Sequence, residues 1–352
     1  MADPFITVAV PTCNGARHLR EALESILRSP VPFDLIVVDD RSDDETTTIA
    51  RDLIGDRGRV VVNPERRGLA GNWNRCVEMS MTPVVAIFHQ DDVMLPGHLE
   101  THVEAHRANP RFGWVASNAD VIDDAGWPVP ESVVERGGLG DRDYNFEHVF
   151  FEECFLGPDG IPPFAVSNPL RCSAVSISRE AHTKIGGFDP IYRYVVDWDF
   201  WIRVAEQLPV AWRARTTTAI RWHPASETHR FAKGTADIDE AARMLQFYKE
   251  AADCPFYLYP GWFQVAERRL ARAFLNRAHV SFKAGDPSLA RRALLRAFRL
   301  APDRTPGQLT RDPRLLAQMA LSILFPWWVR RPNRTGVPSE LLSDRLESGD
   351  NG

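Results

Sequence analysis

Residues 6–40 read ITVAVPTCNGARHLREALESILRSPVPFDLIVVDD and contain two short apolar runs separated by an amphipathic segment. The runs ITVAVPT and DLIVVDD are rich in β-branched residues, which predicts two buried strands. Between them, RHLREALESILRS has helical periodicity and stops before Pro30 and Pro32, which predicts a helix. A strand, a helix and a further strand in this order favour a parallel sheet that is covered by helices on both faces.

The same alternation continues to about residue 95. SDDETTTIARDLI and NWNRCVEMS predict two further helices, and RVVVN and PVVAIFHQDD predict two further strands. Polar residues follow the predicted strands at Pro11-Thr12, Asp39-Asp40 and Gln90-Asp91-Asp92. Because ligands of such sheets bind at the carboxyl ends of the strands, we expect these residues to lie at a binding site.

The pattern then changes twice along the chain. Residues 110–225 are irregular, with SAVSIS and AWRARTTTAIRW as predicted strands and VDWDFWIRVAEQL as a predicted helix. From residue 236 onward the sequence predicts helices, including a helical hairpin that turns at Gly285-Asp286-Pro287.

Composition and charge exclude several classes of protein. The 352 residues are 44% hydrophobic and 25% charged, which excludes a disordered or collagen-like chain. Five scattered cysteines without a CxxC pair disfavour a disulfide framework and a structural zinc site. The N-terminus lacks the basic start and the long apolar run of a signal peptide, so we expect a cytoplasmic protein.

Charge is unevenly distributed along the chain. Residues 1–260 have a net charge of −13 and residues 261–335 a net charge of +11, although the whole chain has −5. This asymmetry suggests two roles in one chain. The arginines of the basic region recur at helical spacing around apolar stripes without a nucleic-acid-binding module, so we expect no nucleic acid partner.

Two acidic sites could carry chemistry, and each also has an ordinary structural interpretation. Asp91 and Asp92 end a buried strand, where a divalent ion bridging to phosphates would compensate their charge; two solvated turn carboxylates are the alternative. Asp197 begins a predicted helix and could be its N-cap. Near Trp198 and Trp201, it could instead be a general base with a raised pKa.

Other candidates are equally open when taken alone. Asp40 could accept hydrogen bonds from a ribose or a base, or it could cap a turn, and His223 could be a capped loop histidine. The loop PTCNGARHL after the first strand lacks GxGxxG, which disfavours a dinucleotide-dependent dehydrogenase. His98 and His102 lack the glutamate of a zinc hydrolase motif, and no Ser/His/Asp or Cys/His triad is suggested.

Five motifs occur in a fixed order over about residues 5–230. They are VAVPTCNGARHLREALESILRS, DLIVVDDRSDDET, NPERRGLAGNWNRCVEMSMTPVVAIFHQDD, GGFDPIYRYVVDWDFWIRVA and RWHPAS. As a set, they resemble the inverting family 2 glycosyltransferases with the GT-A fold. The resemblance implies an α/β fold with a mostly parallel sheet covered by helices on both faces, here followed by a C-terminal helical module.

The resemblance also implies roles for individual residues. Those implied to bind the nucleotide are Pro11, Thr12, Asp40, Arg67 (or Arg66), Asn72 and Asp91, the last of these near the ribose. Asp92 and His223 would bind Mg²⁺ or Mn²⁺ on the diphosphate, and Asp197 would be the general base. Two positions depart from the family pattern: His89-Gln90 stands where the first acid of D-x-D is usual, and Val196 where a glutamate is common.

The activity implied is transfer of a sugar from a nucleotide-diphosphate sugar to an acceptor hydroxyl, with inversion, in polysaccharide or glycoconjugate synthesis. We expect a glycosyltransferase domain over 1–235, with a nucleotide-binding half (1–110) and an acceptor half (111–235). A basic helical module over 236–335 and a flexible tail over 336–352 would follow. A non-catalytic sugar-nucleotide-binding or scaffold protein is the alternative; a nucleotidyltransferase would need a glycine-rich basic phosphate loop that is missing here.

The most apolar stretch is LLAQMALSILFPWWVRR, residues 315–331. It is shorter than the roughly 20 apolar residues of a membrane-spanning helix. An interfacial helix with Trp327-Trp328 at the headgroup level and a buried helix of the C-terminal module both remain open. We expect the basic region 261–331 to contact the inner face of a membrane, where a lipid-linked or polymeric acceptor is presented.

Overall fold

The computed structural model describes residues 3–129, 155–156, 162–223, 226 and 234–302. Its strands are β1 (Ile6–Thr12), β2 (Phe33–Asp39), β3 (Arg59–Val62), β4 (Val84–Ile87), β5 (Val93–Met94), β6 (Trp114–Ile122), β7 (Phe155–Leu156), β8 (Val175–Ser178) and β9 (Val210–Arg221). Its helices are α1 (Ala16–Leu27), α2 (Thr46–Ile54), α3 (Gly68–Met79), α4 (His98–Ala108), α5 (Arg179–Ile185), α6 (Val196–Gln207), α7 (Ala236–Glu250), α8 (Trp262–Lys283) and α9 (Pro287–Leu300). The predicted tail over 336–352 and the apolar segment 315–331 lie outside the described residues.

The described strands form one mixed sheet in the order β3-β2-β1-β4-β8-β6-β9-β5, with β7 paired to β9. Strands β3, β2, β1 and β4 are parallel to one another, as the alternation of strands and helices predicts. Strand β8 is antiparallel to both β4 and β6, whereas β6 and β9 are parallel. The predicted α/β fold is confirmed, and the mixed half of the sheet coincides with the irregular part of the sequence.

Alternate residues of the central strands pack into two separate apolar cores. Val8 and Val10 of β1 pack with α1, α2 and α4 on one face of the sheet, in a cluster that includes Leu23 and Leu99. Ala9 between them belongs to the cluster on the opposite face, which α3 and α6 to α9 cover. Burying one such aliphatic side chain stabilises the fold by about 1.5–3 kcal/mol, which is why β1 is buried along its whole length.

Three histidines of α4 lie one helical turn apart and face the sheet. His98 Nδ1 is 2.8 Å from Thr217 Oγ1, His102 Nδ1 is 2.8 Å from Ser176 Oγ, and His106 Nε2 is 3.0 Å from Ser176 Oγ. Burial lowers the pKa of His98 to about 3 and that of His106 to about 4, and it lowers the pKa of His102 well below its usual value. The three imidazoles are therefore uncharged parts of the core at neutral pH.

The C-terminal helices share their core with the sheet domain. Met244 of α7, Phe274 of α8 and Leu294 of α9 belong to the same buried cluster as Trp201 of α6. The α8–α9 turn contains Gly285 at φ +77°, and Asp286 caps α9 by accepting the Leu289 N–H at 2.9 Å. Within the described part of the chain, no helix has the length and apolarity required to cross a membrane.

Candidate active site

The carboxyl ends of β1 and β2 bring the first two predicted motifs together. Thr12 pairs with Asp39 in the sheet, and its Oγ1 donates a hydrogen bond to Asp39 Oδ1 at 2.8 Å. Pro11 and Thr12 are both buried. The polar ends of the two strands therefore meet at one edge of the sheet, as the sequence predicts.

Asp40 is buried at this edge and binds the loop that leads into α3. Its carboxylate accepts the N–H groups of Arg67 at 2.7 Å and Gly68 at 2.9 Å, and the Nδ2 group of Asn63 at 2.9 Å. Gly68 has φ +72°, a left-handed conformation that favours glycine at this turn. Asp40 thus fixes the position of the β3–α3 loop.

Asn72 continues this network, whereas the neighbouring arginine side chains do not. Its Nδ2 donates to the Val38 carbonyl at 3.0 Å, and its Oδ1 accepts from Asn63 at 2.9 Å. The side chains of Arg66 and Arg67 are exposed at the loop surface. Asp40 and Asn72 are therefore joined through Asn63. The guanidinium groups of Arg66 and Arg67 are close to this network in the sequence.

Asp91 and His223 form a pair at the end of β4, although they are far apart in sequence. Asp91 Oδ2 lies 2.9 Å from His223 Nε2. Burial acts to raise the pKa of Asp91, but the His223 hydrogen bond and the charges of His89 and His223 hold it below its usual value. His223 Nδ1 is buried and has no hydrogen-bond partner among the described residues. The pair combines a carboxylate and an imidazole, both of which are ligands of divalent metals.

Asp92 points in a different direction from Asp91, and both of its carboxylate oxygens accept hydrogen bonds from the protein. Its Oδ2 accepts a hydrogen bond from Ser173 Oγ at 2.5 Å, and its Oδ1 accepts the Arg221 N–H at 2.9 Å. Burial and the neighbouring charge of Asp91 raise the pKa of Asp92 to about 8. Asp92 therefore joins the end of β4 to β9 and to the segment before β8.

His89 replaces the first acid of the family pattern if that pattern ends at Asp91, and Gln90 replaces it if the pattern ends at Asp92. The ring of His89 stacks on Trp73 with centroids 5.3 Å apart, and its Nδ1 lies 3.7 Å from Asp92 Oδ2. His89 Nε2 is buried without a hydrogen-bond partner in the described part of the chain. Possible ligand atoms of His89, Asp91 and Asp92 lie within 4.8 Å of one another.

A second group with this spacing consists of His18, Asp124 and His223. It shares His223 with the first carboxylate–imidazole pair, and His18 Nε2 lies 3.0 Å from Asp124 Oδ1. Burial, together with the charges of Arg221 and His223, lowers the pKa of His18. The two groups thus form one continuous set of possible ligands around the Asp91–His223 pair.

Asp197 lies in the first turn of α6 and is not its N-cap, which is Val195. Asp197 Oδ2 accepts a hydrogen bond from Asn168 Nδ2 at 2.8 Å, and its Oδ1 accepts the Trp198 N–H at 2.8 Å. Burial raises the pKa of Asp197 even though both hydrogen bonds act in the opposite direction. A carboxylate that is oriented by two donors and has a raised pKa suits proton abstraction.

A cavity of about 160 Å³ is lined by Asp197 and by the strand-end residues His89 and Asp92. Its polar lining includes His89, Asp92, Asn168, Arg171, Asp197, Arg221 and Ser226. The predicted base therefore faces residues of the strand-end motif across one cavity. Asp40, Thr12 and Asn72 do not line it and lie around the ends of β1 and β2.

Three residues of this site carry no recognisable functional signal in the sequence. Asn168 orients Asp197, Arg171 lines the cavity, and Ser173 binds Asp92. All three belong to the irregular segment before β8, where no periodicity or motif distinguishes them. Only the turn-forming pair Asn168-Pro169 offers a local signal, and it indicates a turn and not a role in the site.

Comparison with known proteins gives consistent results. Residues 7–157 match the family model "Glycosyl transferase family 2". The uncharacterized protein MT1568 of Mycobacterium tuberculosis (strain CDC 1551 / Oshkosh) is 28% identical over 246 residues, which are 69% of this chain and 75% of that protein.

Two solved structures share the fold. S. aureus TarS 1–349 in complex with UDP-GlcNAc has a TM-score of 0.59 at 15% identity, covering 92% of this chain and 90% of its own. The mannosyltransferase PcManGT from Pyrobaculum calidifontis, in complex with GDP-Man and Mn²⁺, has a TM-score of 0.53 at 19% identity, covering 92% and 88%.

Proposed function

We propose that this chain, which matches the glycosyl transferase family 2 model over residues 7–157 and has the GT-A fold, transfers a sugar from a nucleotide-diphosphate sugar to an acceptor hydroxyl with inversion. The observation that carries this proposal is one cavity lined by Asp197, His89 and Asp92, beside which Asp91 forms a cluster of possible metal ligands with His89 and Asp92. A general base and a cluster of possible metal ligands on one cavity are the two parts that such a displacement requires.

The nucleotide is proposed to bind along the carboxyl ends of β1 and β2. Pro11, Thr12 and the Asp40–Asn72 network line this edge, and the exposed Arg67 is available to the diphosphate. TarS was solved with UDP-GlcNAc and PcManGT with GDP-Man, which supports a nucleotide sugar as donor here.

Asp91 and His223 are the residues proposed to hold Mg²⁺ or Mn²⁺. Asp91 is only partly buried and lies 2.9 Å from the imidazole, whereas both oxygens of Asp92 already accept hydrogen bonds from the protein. We therefore exchange the roles implied by the resemblance, with Asp91 as metal ligand and Asp92 as the residue that positions the strand end. When bound, the divalent ion neutralises the charge that develops on the departing diphosphate.

Asp197 is proposed to take the proton of the acceptor hydroxyl. Asn168 and the Trp198 N–H fix its two oxygens, so one carboxylate geometry is presented to the cavity. Its raised pKa increases its affinity for the proton as the oxygen attacks the anomeric carbon. Attack on the face opposite the leaving diphosphate inverts the configuration, and no covalent intermediate on the protein is required.

The acceptor is proposed to be lipid-linked or polymeric, with the basic region 261–331 in contact with anionic lipid at the inner face of a membrane. The net charge of +11 over residues 261–335 supports this part of the proposal. Sedimentation of the purified protein with anionic vesicles at low salt tests it. Failure to sediment would reject the proposed membrane contact and would not bear on the proposed transfer reaction.

The central experiment measures donor binding and donor turnover separately. UDP, GDP and dTDP are titrated calorimetrically with and without Mn²⁺, and release of the nucleoside diphosphate from its sugar derivatives is then followed. Wild type is expected to bind one nucleotide in a metal-dependent manner. Asp91→Asn should lose this metal dependence, whereas Asp197→Asn should keep binding and lose about 10²–10⁴-fold in turnover.

The control is Asp120→Asn, which removes an exposed carboxylate of β6 away from the cavity and should behave as wild type. Absence of nucleotide binding under every condition would reject the proposal and favour the scaffold alternative. Binding without any turnover would favour a sugar-nucleotide-binding protein. Retained turnover in Asp197→Asn would assign the base to another residue.

A further inference from the structure

The C-terminal helices supply a buried carboxylate to the loop that precedes α6. Glu240 of α7 accepts three consecutive backbone N–H groups, from Arg193 at 3.0 Å, Tyr194 at 2.5 Å and Val195 at 3.1 Å. Its side chain is buried, although it lies in a different part of the sequence from the loop. The carboxylate is thus placed at the N-terminus of the helix that carries Asp197.

We propose that Glu240 is a positioning residue for Asp197, through which the C-terminal helices set the location of the catalytic base. This inference rests on the proposed function. It assigns to the C-terminal helices a part in the chemistry in addition to their contribution to the core.

The α6 terminus has no acceptor of its own for these amides. Val195 is the N-cap residue and has no side-chain oxygen, and the amides of the loop that enters α6 are bound by a carboxylate from elsewhere in the chain. A carboxylate at this end is further favoured by the helix dipole. Three N–H donors also offset the cost of burying Glu240, and each partner therefore stabilises the other.

A second contact joins the same two helices. Tyr248 of α7 donates a hydrogen bond from its hydroxyl to Asp199 Oδ1 at 2.9 Å, and Asp199 Oδ2 is 2.7 Å from Arg203 Nε. Tyr248 follows Glu240 by eight residues, so both side chains lie on one face of α7. Their partners are on either side of Asp197, and α7 therefore holds the backbone before and after the base.

The opposite side of Asp197 is held by the segment that α8 covers. Asn168 orients the carboxylate, and Trp198 Nε1 donates to the Phe164 carbonyl at 2.8 Å. Phe164 and the α8 residue Phe263 belong to one buried cluster. A shift of the α6 terminus would move Asp197 away from Asn168 and towards or away from the acceptor. Displacements of about 1 Å can reduce a rate by about 10²-fold.

Glu240→Gln and Tyr248→Phe test the inference in the full-length protein. Glu240→Gln keeps the size of the side chain but removes the charge and one of the acceptor oxygens. We expect turnover of the donor sugar to fall by at least tenfold, with the KM for the donor and the metal-dependent affinity for the nucleoside diphosphate unchanged within twofold. Glu250→Gln, on the exposed end of the same helix, is the matched control and should retain wild-type turnover.

A double-mutant cycle with Asp197→Asn separates positioning from general damage. If Glu240 acts through Asp197, Glu240→Gln should have no further effect on the residual turnover of Asp197→Asn. Tyr248→Phe removes one hydroxyl, should fold even if Glu240→Gln does not, and should show the same non-additivity with a smaller loss.

The possible failures are distinct. Wild-type turnover in a folded Glu240→Gln, or an equal loss with and without Asp197, overturns the positioning role. Absence of nucleotide binding or turnover in the wild type would instead overturn the proposed function on which the inference rests.

Discussion

Lowering the pH from 7 to 5 is expected to remove about 4 kcal/mol from the free energy of unfolding through two buried histidines of α4. Their ordinary pKa of 6.5 falls to about 3 for His98 and to about 4 for His106, in both cases because the imidazole is buried. Between pH 6.5 and these values, the unfolded chain binds protons that the folded chain does not. Their contribution to stability is therefore complete above pH 6.5 and is lost as the pH falls.

The size of the effect follows from the linkage between protonation and folding. Each unit of pH in this window changes stability by about 1.4 kcal/mol per proton, so each histidine contributes about 2 kcal/mol between pH 7 and 5. His102 acts in the same direction, because its pKa also lies well below its usual value. A loss of this size is a large fraction of the roughly 5–15 kcal/mol that stabilises a typical domain.

Urea denaturation at pH 7 and pH 5 measures the effect in matched variants. His98→Asn retains a nitrogen near the Nδ1 position, and His106→Gln retains one near the Nε2 position, so each keeps its hydrogen-bonding reach without titrating. Each variant should reduce the difference between the two pH values by about 2 kcal/mol. Thr101→Asn on the same helix controls for helix propensity, since it changes stability equally at both pH values.

The comparison between variants cancels the contribution of every carboxylate that titrates in this range. If His98→Asn/His106→Gln loses as much stability between pH 7 and 5 as the wild type does, the buried imidazoles do not control acid sensitivity. Such a result would mean that the imidazoles bind protons as readily in the folded protein as in the unfolded chain.

Three further predictions concern single positions. Gly113→Ala should lower stability by about 1–3 kcal/mol in urea denaturation, because the added Cβ would clash with Val204 Cγ1. Asp40→Ala should cost about 3 kcal/mol and weaken nucleotide binding in calorimetry, because three donors, of which the Asn63 amide is buried, lose their common acceptor. His89→Phe should retain stacking on Trp73 but raise the KM for the donor about tenfold, because the unpartnered Nε2 beside the cavity is removed. An unchanged midpoint or KM would contradict the corresponding prediction.

Local patterns were sufficient for the parallel half of the fold. The runs that form β1 and β2 are short, apolar and bounded by proline or aspartate, so their type and order follow from periodicity and turn chemistry. The antiparallel insertion of β8 between β4 and β6 has no such local origin. It depends on pairing between Val85 and Ile177, which are 92 positions apart, and no periodicity encodes a partner at that distance.

The candidate site shows the same division between what local sequence patterns indicate and what depends on contacts between remote segments. The sequence order of the motifs indicates Asp91, Asp92 and Asp197, but the direction in which adjacent carboxylates point depends on Ser173 and Arg221, which come from remote segments. Asn168 and Glu240 were not identified for the same reason, since each meets the base or its loop only after the chain has folded. The reacting groups can therefore be recognised from the sequence more easily than the groups that hold them in position.

The carboxylate that α7 places before α6 also limits how chains of this kind can be recombined. A chimera joined at residue 235 would take the 193–195 loop from one parent and Glu240 from the other. The fit between the loop amides and the carboxylate, as it exists in each parent, would therefore be lost. The block from residue 162 to residue 302 must instead be inherited as a unit. The strands β1 to β3, whose loops meet the nucleotide in our proposal, can be exchanged more freely, and changes of donor preference are best introduced there.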